Sequence, residues 1–203
     1  MYVPHFNAID EQAARALVAD LGAGELITTG PAGYPVATLL PVLWEGDTVI
    51  AHLARANPQW RAIAQDTPAL LVCTGPQGYI HPGWYAAKAE HGKVVPTWNY
   101  AAVHLAGRAR VIEDPDWLRG AVARLTDRHE AGFPDRWQVG DAPEGYLDAM
   151  LKAIVGLELR VERIEAKAKL SQNRSAADRR GVIEGLGAHP VADAMRRVEA
   201  DFA

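Results

Sequence analysis

The chain has 203 residues, with 21 Lys and Arg against 25 Asp and Glu, a formal charge of −4 and 49% apolar residues. That is ordinary globular composition, of a size for one large domain or one domain with a small appendage, and its mild acidity argues against a general nucleic-acid binder. No run of about 18 apolar residues exists, so no transmembrane helix is expected. The start Met1-Tyr2-Val3-Pro4-His5 lacks the basic end and apolar core of a secretory signal. Cys73, the single cysteine, leaves neither an internal disulfide nor a CxxC metal pair, so a reducing cytoplasm is the expected setting.

Residues 7–20 read as a first helix, with Asn7 as its cap, Asp10 and Glu11 at its positive end, and Ala13, Ala14, Leu17 and Val18 as its apolar stripe. Gly22 and Gly24 break the chain. The spacing then predicts strands over 25–29, 35–44 and 48–53, separated by Gly30-Pro31-Ala32-Gly33 and Glu45-Gly46-Asp47 and folded as a three-stranded meander. Val36, Thr38, Leu40 and Val42 share one face of the second strand. Pro58 opens a short helix to about 65, and 69–74 is a buried strand ended by Gly75-Pro76-Gln77-Gly78.

The stretch 79–100 gathers Tyr79, Trp84, Tyr85, Trp98 and Tyr100 around Pro82 and Pro96. Neither a continuous helix nor an uninterrupted central strand tolerates that pattern, so it reads as two strand pieces flanking an ordered loop, with 100–111 as the outgoing strand. A helix over 115–129 is capped by Asp114; a loop over 132–145 and a short helix over 146–153 follow. Val155, Leu157, Leu159 and Val161 alternate as a half-buried strand, and after Arg163 the apolar phase slips to Ile164, Ala166, Ala168 and Leu170, which predicts a bulge. Two helices joined around 185–190 close the chain. The sum is an α+β fold built on a small antiparallel β-barrel with flanking helices, since closure removes exposed edges. A domain over 1–174 is expected to carry a C-terminal helical extension, 175–203, that packs on the barrel or on a dimer.

Three segments carry candidate chemistry. In His52-Leu53-Ala54-Arg55-Ala56-Asn57-Pro58 a strand ends and a helix begins. Helix-start N–H groups attract anions, Arg55 offers a planar fork for phosphate, and His52 and Asn57 add donors. The plain alternative is Asn57 as a helix cap and Arg55 as a surface cation. The aromatic stretch offers flat walls for a planar ligand or an interface, with Asn99 able to donate and accept at a ring edge; the plain alternative is a core aromatic cluster. The polar run Lys167–Arg174 sits at a strand end, either as a site or as a solvated end.

Other chemistries find less support. His81, His91 and His104 lack metal-ligand spacing, so no metal is expected. No GxSxG, GxGxxG or GxxxxGK[ST] occurs, and Cys73 reads as an inert core residue. The tail resembles a helix-turn-helix in outline, but five arginines meet five carboxylates over 171–203 (Asp201 among them), which leaves no basic recognition face.

The segments Tyr79-Ile80-His81-Pro82-Gly83-Trp84-Tyr85 and Val95-Pro96-Thr97-Trp98-Asn99-Tyr100, followed by Val103-His104 and Gly107, resemble the PaiB family of FMN-binding negative transcriptional regulators. Lys169-Leu170-Ser171-Gln172-Asn173-Arg174, Gly181-Val182-Ile183 and the opening Met1–Phe6 extend the likeness from residue 1 to about 187. The resemblance implies the FMN-binding split barrel shared with pyridoxamine 5′-phosphate oxidases. It further implies a homodimer with FMN at its interface and a cytoplasmic flavoprotein acting as a transcriptional repressor. By the same resemblance, the phosphate lies at His52, Arg55 and Asn57, and the ring system runs along Thr38 and Leu39. Trp98, Asn99 and Tyr100 come from the same or the opposite chain, and Lys169, Ser171 and Gln172 are interface contacts to the ring. The oxidases place more than one basic residue at the phosphate, whereas this loop has Arg55 alone, to be completed by Lys88 or a residue elsewhere. DNA is the partner that a regulator implies, yet the charge supplies no surface for it. Two alternatives use the same barrel: a flavin-dependent oxidoreductase with Tyr85, His81 or Tyr100 as proton donor, and a haem or small-molecule module with His81 or His104 as ligand.

Overall fold

The alternating apolar positions become seven strands among the described residues: β1 (Ala23–Thr29), β2 (Pro35–Pro41), β3 (Leu43–Glu45), β4 (Thr48–Ala54), β5 (Thr67–Ile80), β6 (Thr97–Ile112) and β7 (Ile154–Lys169). Six α-helices accompany them: α1 (Glu11–Leu21), α2 (Ala87–His91), α3 (Pro115–Glu130), α4 (Tyr146–Leu151), α5 (Ala176–Leu186) and α6 (Pro190–Ala200). This computed structural model describes residues 1–143 and 145–200; position 144 of the expected 132–145 loop and 201–203 of the expected tail, Asp201 included, lie outside the described residues. No helix among them is long and apolar enough to cross a membrane.

The strands form one antiparallel sheet in the order β2-β1-β5-β6-β7-β4-β3. The expected three-stranded meander is instead two hairpins at opposite ends of the sheet, β1 with β2 and β3 with β4. The break has a local cause. The second strand stops at Pro41, and the Val42 N–H turns aside to the Gly22 carbonyl at 2.9 Å. The two edge strands are therefore consecutive in the chain, with Val42 alone between them. Among the described residues no ladder joins β2 to β3, so the sheet is that of a split barrel rather than a closed one.

The chain forms two compact units, one of residues 1–14, 74–103 and 165–203, the other of 15–73 and 104–164. Each of β5, β6 and β7 passes from one to the other. In β7 the passage falls between Ile164 and Glu165, where the alternation changes phase. Val155, Leu157 and Leu159 are buried before it, and Ala166 and Ala168 after it. The strand itself is continuous through the change.

In the second unit, Leu26, Leu53, Leu71, Leu105 and Leu159 form the centre of the core. Strands β6 and β7 approach so closely that a Cβ at Gly107 would lie 1.9 Å from the Arg160 carbonyl oxygen. Asp114 caps α3 as its sequence suggests, its carboxylate accepting from the Trp117 N–H at 2.7 Å. The expected helix after Pro58 is a single 3-10 turn, Pro58–Ala62, capped by Asn57.

In the first unit, the loop over 81–96 is pinned beneath α5. Gly181 and Gly185, one helical turn apart, leave room for Trp84; a Cβ at Gly185 would fall 2.5 Å from its indole. Buried Asp178 accepts from the Ala87 N–H at 2.9 Å. The N-terminal segment lies along β7, with Ala8 bridged to Lys167 and the Ile9 N–H donated to the Ala166 carbonyl. Asn7 is buried in this segment rather than capping α1; Asp10 takes that place, accepting from the Ala13 N–H at 2.8 Å. Strand β6 starts at Thr97 rather than at residue 100, which brings Thr97 and Asn99 to one face of a regular strand.

Candidate functional site

In the second unit, the His52–Asn57 loop engages nearly all its polar groups within the chain. Arg55 Nε donates to the Lys152 carbonyl at 3.0 Å and Nη2 to the Ile154 carbonyl at 3.2 Å. Nη1 pairs with Glu113 at 2.5 Å, and this pair is well exposed. Asn57 Oδ1 accepts from the Gln59 N–H at 3.0 Å, and its Nδ2 donates to Thr38 Oγ1 at 2.9 Å. The Thr38 hydroxyl donates in turn to Gln59 Oε1. Buried Gln59 completes the network by donating to the carbonyls of Leu26 and Val36 and to Thr28 Oγ1. His52 is half-buried in β4, and burial lowers its pKa below 6.5. Leu39 is 68% exposed on β2, an edge strand with one side of its backbone unpaired in the sheet.

The first unit contains a cavity of about 380 Å³. Period-two alternation builds it: Thr97 and Asn99 on β6 face the same space as Lys167, Lys169 and Ser171 at the end of β7. Arg174 completes a trio of cations, and among the described residues no acidic side chain lines the cavity. The interior is therefore positive and attracts anions. Lys169 Nζ donates to Thr97 Oγ1 at 2.5 Å and to the Trp98 carbonyl at 2.9 Å. Its pKa is lowered, mainly by desolvation and further by Lys167, with Tyr100 opposing. Lys167, buried, donates to the Tyr2 carbonyl at 3.2 Å and stands 5.1 Å from the Tyr100 ring centroid.

Two buried polar atoms in the cavity wall lack partners among the described residues, Asn99 Oδ1 and the Tyr85 hydroxyl. Asn99 is fully buried, and its Nδ2 donates to Ser171 Oγ at 3.0 Å. Ser171 holds a left-handed φ of +67°, a strained conformation for a residue with a Cβ. Gln172 braces that turn, accepting from the Leu170 N–H and donating to the Ala168 carbonyl.

Of the residues expected from the sequence, Thr38, Leu39, His52, Arg55 and Asn57 thus belong to one unit, and Lys88, Trp98, Asn99, Tyr100, Lys169, Ser171 and Gln172 to the other. Asn99, Tyr100, Lys169 and Ser171 line the cavity. Trp98 contributes its carbonyl, while its half-exposed indole donates to Gln77. Lys88 is exposed on α2 and is not part of the lining. Sequence reasoning did not single out Lys167 or Arg174 as site residues. The available signal was the polar alternation Lys167, Lys169, Ser171 against buried Ala166, Ala168 and Leu170.

Residues 1–163 match the family described as "Putative FMN-binding domain". The chain is 34% identical over 191 residues to "Protease synthase and sporulation protein PAI 2" of Bacillus subtilis strain 168, covering 92% of this chain and 89% of that one. Among solved structures, the FAD and haem binding protein of Mycobacterium smegmatis is similar with a TM-score of 0.64 at 20% identity, over 92% of this chain and 82% of that one. The flavocytochrome Anf3 of Azotobacter vinelandii is similar with a TM-score of 0.58, also at 20% identity, over 81% of this chain and 70% of that one. At such identity the structural likeness establishes the fold.

Proposed function

The chain belongs to the family of FMN-binding domains, and from that membership we propose that it is a cytoplasmic negative regulator of transcription of the PaiB type, working as a homodimer with FMN at the subunit interface. Its cofactor is FMN. When bound, FMN supplies an electron-accepting ring with an imide N–H at one edge and, at the other end, an anionic phosphate.

The observation that carries the reading is Asn99 Oδ1, a fully buried acceptor with no donor among the described residues. Such a vacancy costs about 1–3 kcal/mol unless a ligand fills it, and an imide N–H is the donor it fits. In this reading Ser171 and Gln172 hold Asn99 in place, Lys169 sets positive charge at the ring, and Trp98 and Tyr100 flank it with flat faces. Thr38 and Leu39 offer the unpaired backbone of β2. The phosphate is met by His52, Arg55 and Asn57, with Lys88 as an added cation, and Arg55 exchanges Glu113 for the phosphate. An exposed ion pair is worth about 1 kcal/mol or less, so a dianion displaces it readily.

Exposed apolar residues support the homodimer. Tyr2 is 82% and Val95 65% exposed within the first unit, where Phe6, Tyr79 and Trp98 are also exposed, and a subunit interface would cover such apolar side chains. The net charge of −4 supports DNA contact only indirectly or through a surface that the dimer creates.

The test is the visible absorption of the protein as purified and after FMN is added, with light scattering on the same sample. The expected result is one FMN per chain in a dimer, with binding lost in Asn99→Ala. FMN bound equally well by Asn99→Ala, or a monomer that binds FMN, would refute this site. Salt-titrated binding to operator-like and random duplexes tests the regulatory role; failure of the FMN-loaded protein to bind either at low salt would remove direct repression.

A further inference from the structure

The reading above leaves two cavity groups without a task. The Tyr85 hydroxyl is buried, in a residue only 2% exposed, and meets no partner among the described residues. The Arg174 guanidinium lies 4.7 Å from the centroid of the same tyrosine ring. Unlike Arg55, it forms no side-chain hydrogen bond or ion pair with any described residue. Stacking on an aromatic face restrains the plane of a guanidinium while leaving its N–H edge available.

We propose that Arg174 and Tyr85 form a binding site for a small carboxylate with an apolar body. The chemistry of the cavity selects this class. Arg174 and Lys167 only donate, and the Tyr85 hydroxyl has a proton to give, so the complementary ligand is an acceptor. With cations in the lining and no carboxylate among the described residues there, that acceptor is an anion. A guanidinium edge grips a carboxylate through two parallel N–H bonds, and the hydroxyl can donate to a remaining lone pair. Pro4, Phe6, Val95 and Pro96 add an apolar part to an otherwise polar lining and suit a hydrocarbon or aromatic body. A volume of about 380 Å³ is in the range of small-molecule sites. Asn99, Tyr100 and Lys169 line the same cavity, so the site beside a bound flavin requires that the ring edge at Asn99 leave Arg174 and Tyr85 open; its use as the entry point of a regulatory signal rests on the function proposed above.

The experiment is calorimetric titration of the full-length, FMN-loaded protein with benzoate, with inorganic phosphate as the comparison. Saturable binding of one benzoate per chain is expected, tighter than phosphate. Arg174→Gln should weaken it about tenfold or more, and Tyr85→Phe several-fold, with FMN affinity unchanged in both. Tyr85→Phe keeps the ring and removes only an unpartnered hydroxyl, so it supplies a folded variant even where Arg174→Gln does not. Absence of saturable benzoate binding, equal binding by both variants, or tighter binding of phosphate overturns the assignment. Displacement of benzoate by FMN also overturns it, because the cavity would then serve FMN itself rather than a second ligand. Should no FMN bind at all, the functional reading fails, while titration of the flavin-free protein still decides the carboxylate site.

Discussion

The loop at His52–Asn57 and the cavity at the end of β7 use the same residue types to different ends. Each has an arginine and an asparagine beside a hydroxyl. In the loop, Asn57 is satisfied at both ends of its amide and Arg55 has three partners. In the cavity, Asn99 is satisfied at one end only and Arg174 rests on a ring. Polar groups engaged within the chain hold strands in place; buried groups left unengaged call for a ligand. The loop is therefore held together without a ligand, whereas the cavity keeps buried polar groups unengaged among the described residues.

The comparison breaks most visibly at Gln59, whose side chain ties the loop to β1 and β2. Gln59→Leu should destabilise the protein by about 2–4 kcal/mol in urea unfolding, because it strands several buried groups at once. A loss below about 1 kcal/mol would mean that the network is not what secures the loop.

A sharper division comes from Arg55 and its carboxylate. Arg55→Ala should weaken FMN binding by about 1.5–3 kcal/mol if the guanidinium meets the phosphate. Glu113→Gln should strengthen it by up to about 1 kcal/mol, since the competing carboxylate is gone. If titrations leave FMN affinity unchanged in both variants, Arg55 is architectural and the phosphate lies elsewhere.

The smallest effect is the pH dependence of His52. Burial lowers its folded pKa below 6.5, so between the folded value and 6.5 the unfolded chain binds more protons and stability rises with pH. Acidification through that window should remove stability, with the loss levelling off below the folded pKa. His52→Gln should flatten this slope in urea unfolding measured across the window; an unchanged slope would assign the acid sensitivity to another group.

Much of the local structure was legible. Asp114 and Asn57 cap the elements they precede, and the alternation of β7 appears where the apolar pattern puts it. Even its change of phase is visible, and it coincides with the passage from one compact unit to the other. The meander was misread because Pro41 and Val42 look like more of the same strand, while the hydrogen bond from Val42 to Gly22 that diverts the chain is not a local signal. Asn7 and Asp10 are both good caps, and the burial of Asn7 in the N-terminal segment decided between them. In the cavity, Asn99 and Ser171 stood out as polar residues in specific motifs, but their contact joins positions 72 residues apart.

What the sequence by itself determined is whatever depends on neighbours two to four places away: strand faces, helix caps and the proline-marked ends of elements. Tertiary structure alone decided which polar groups are already satisfied. Arg55 and Arg174 are chemically identical side chains, and only Arg55 was expected to meet an anion. One has a carboxylate 58 residues along the chain folded against it, and the other has the flat face of Tyr85. Hydrogen-bond capacity is a property of a residue, whereas its occupancy depends on which distant groups folding brings within about 3 Å.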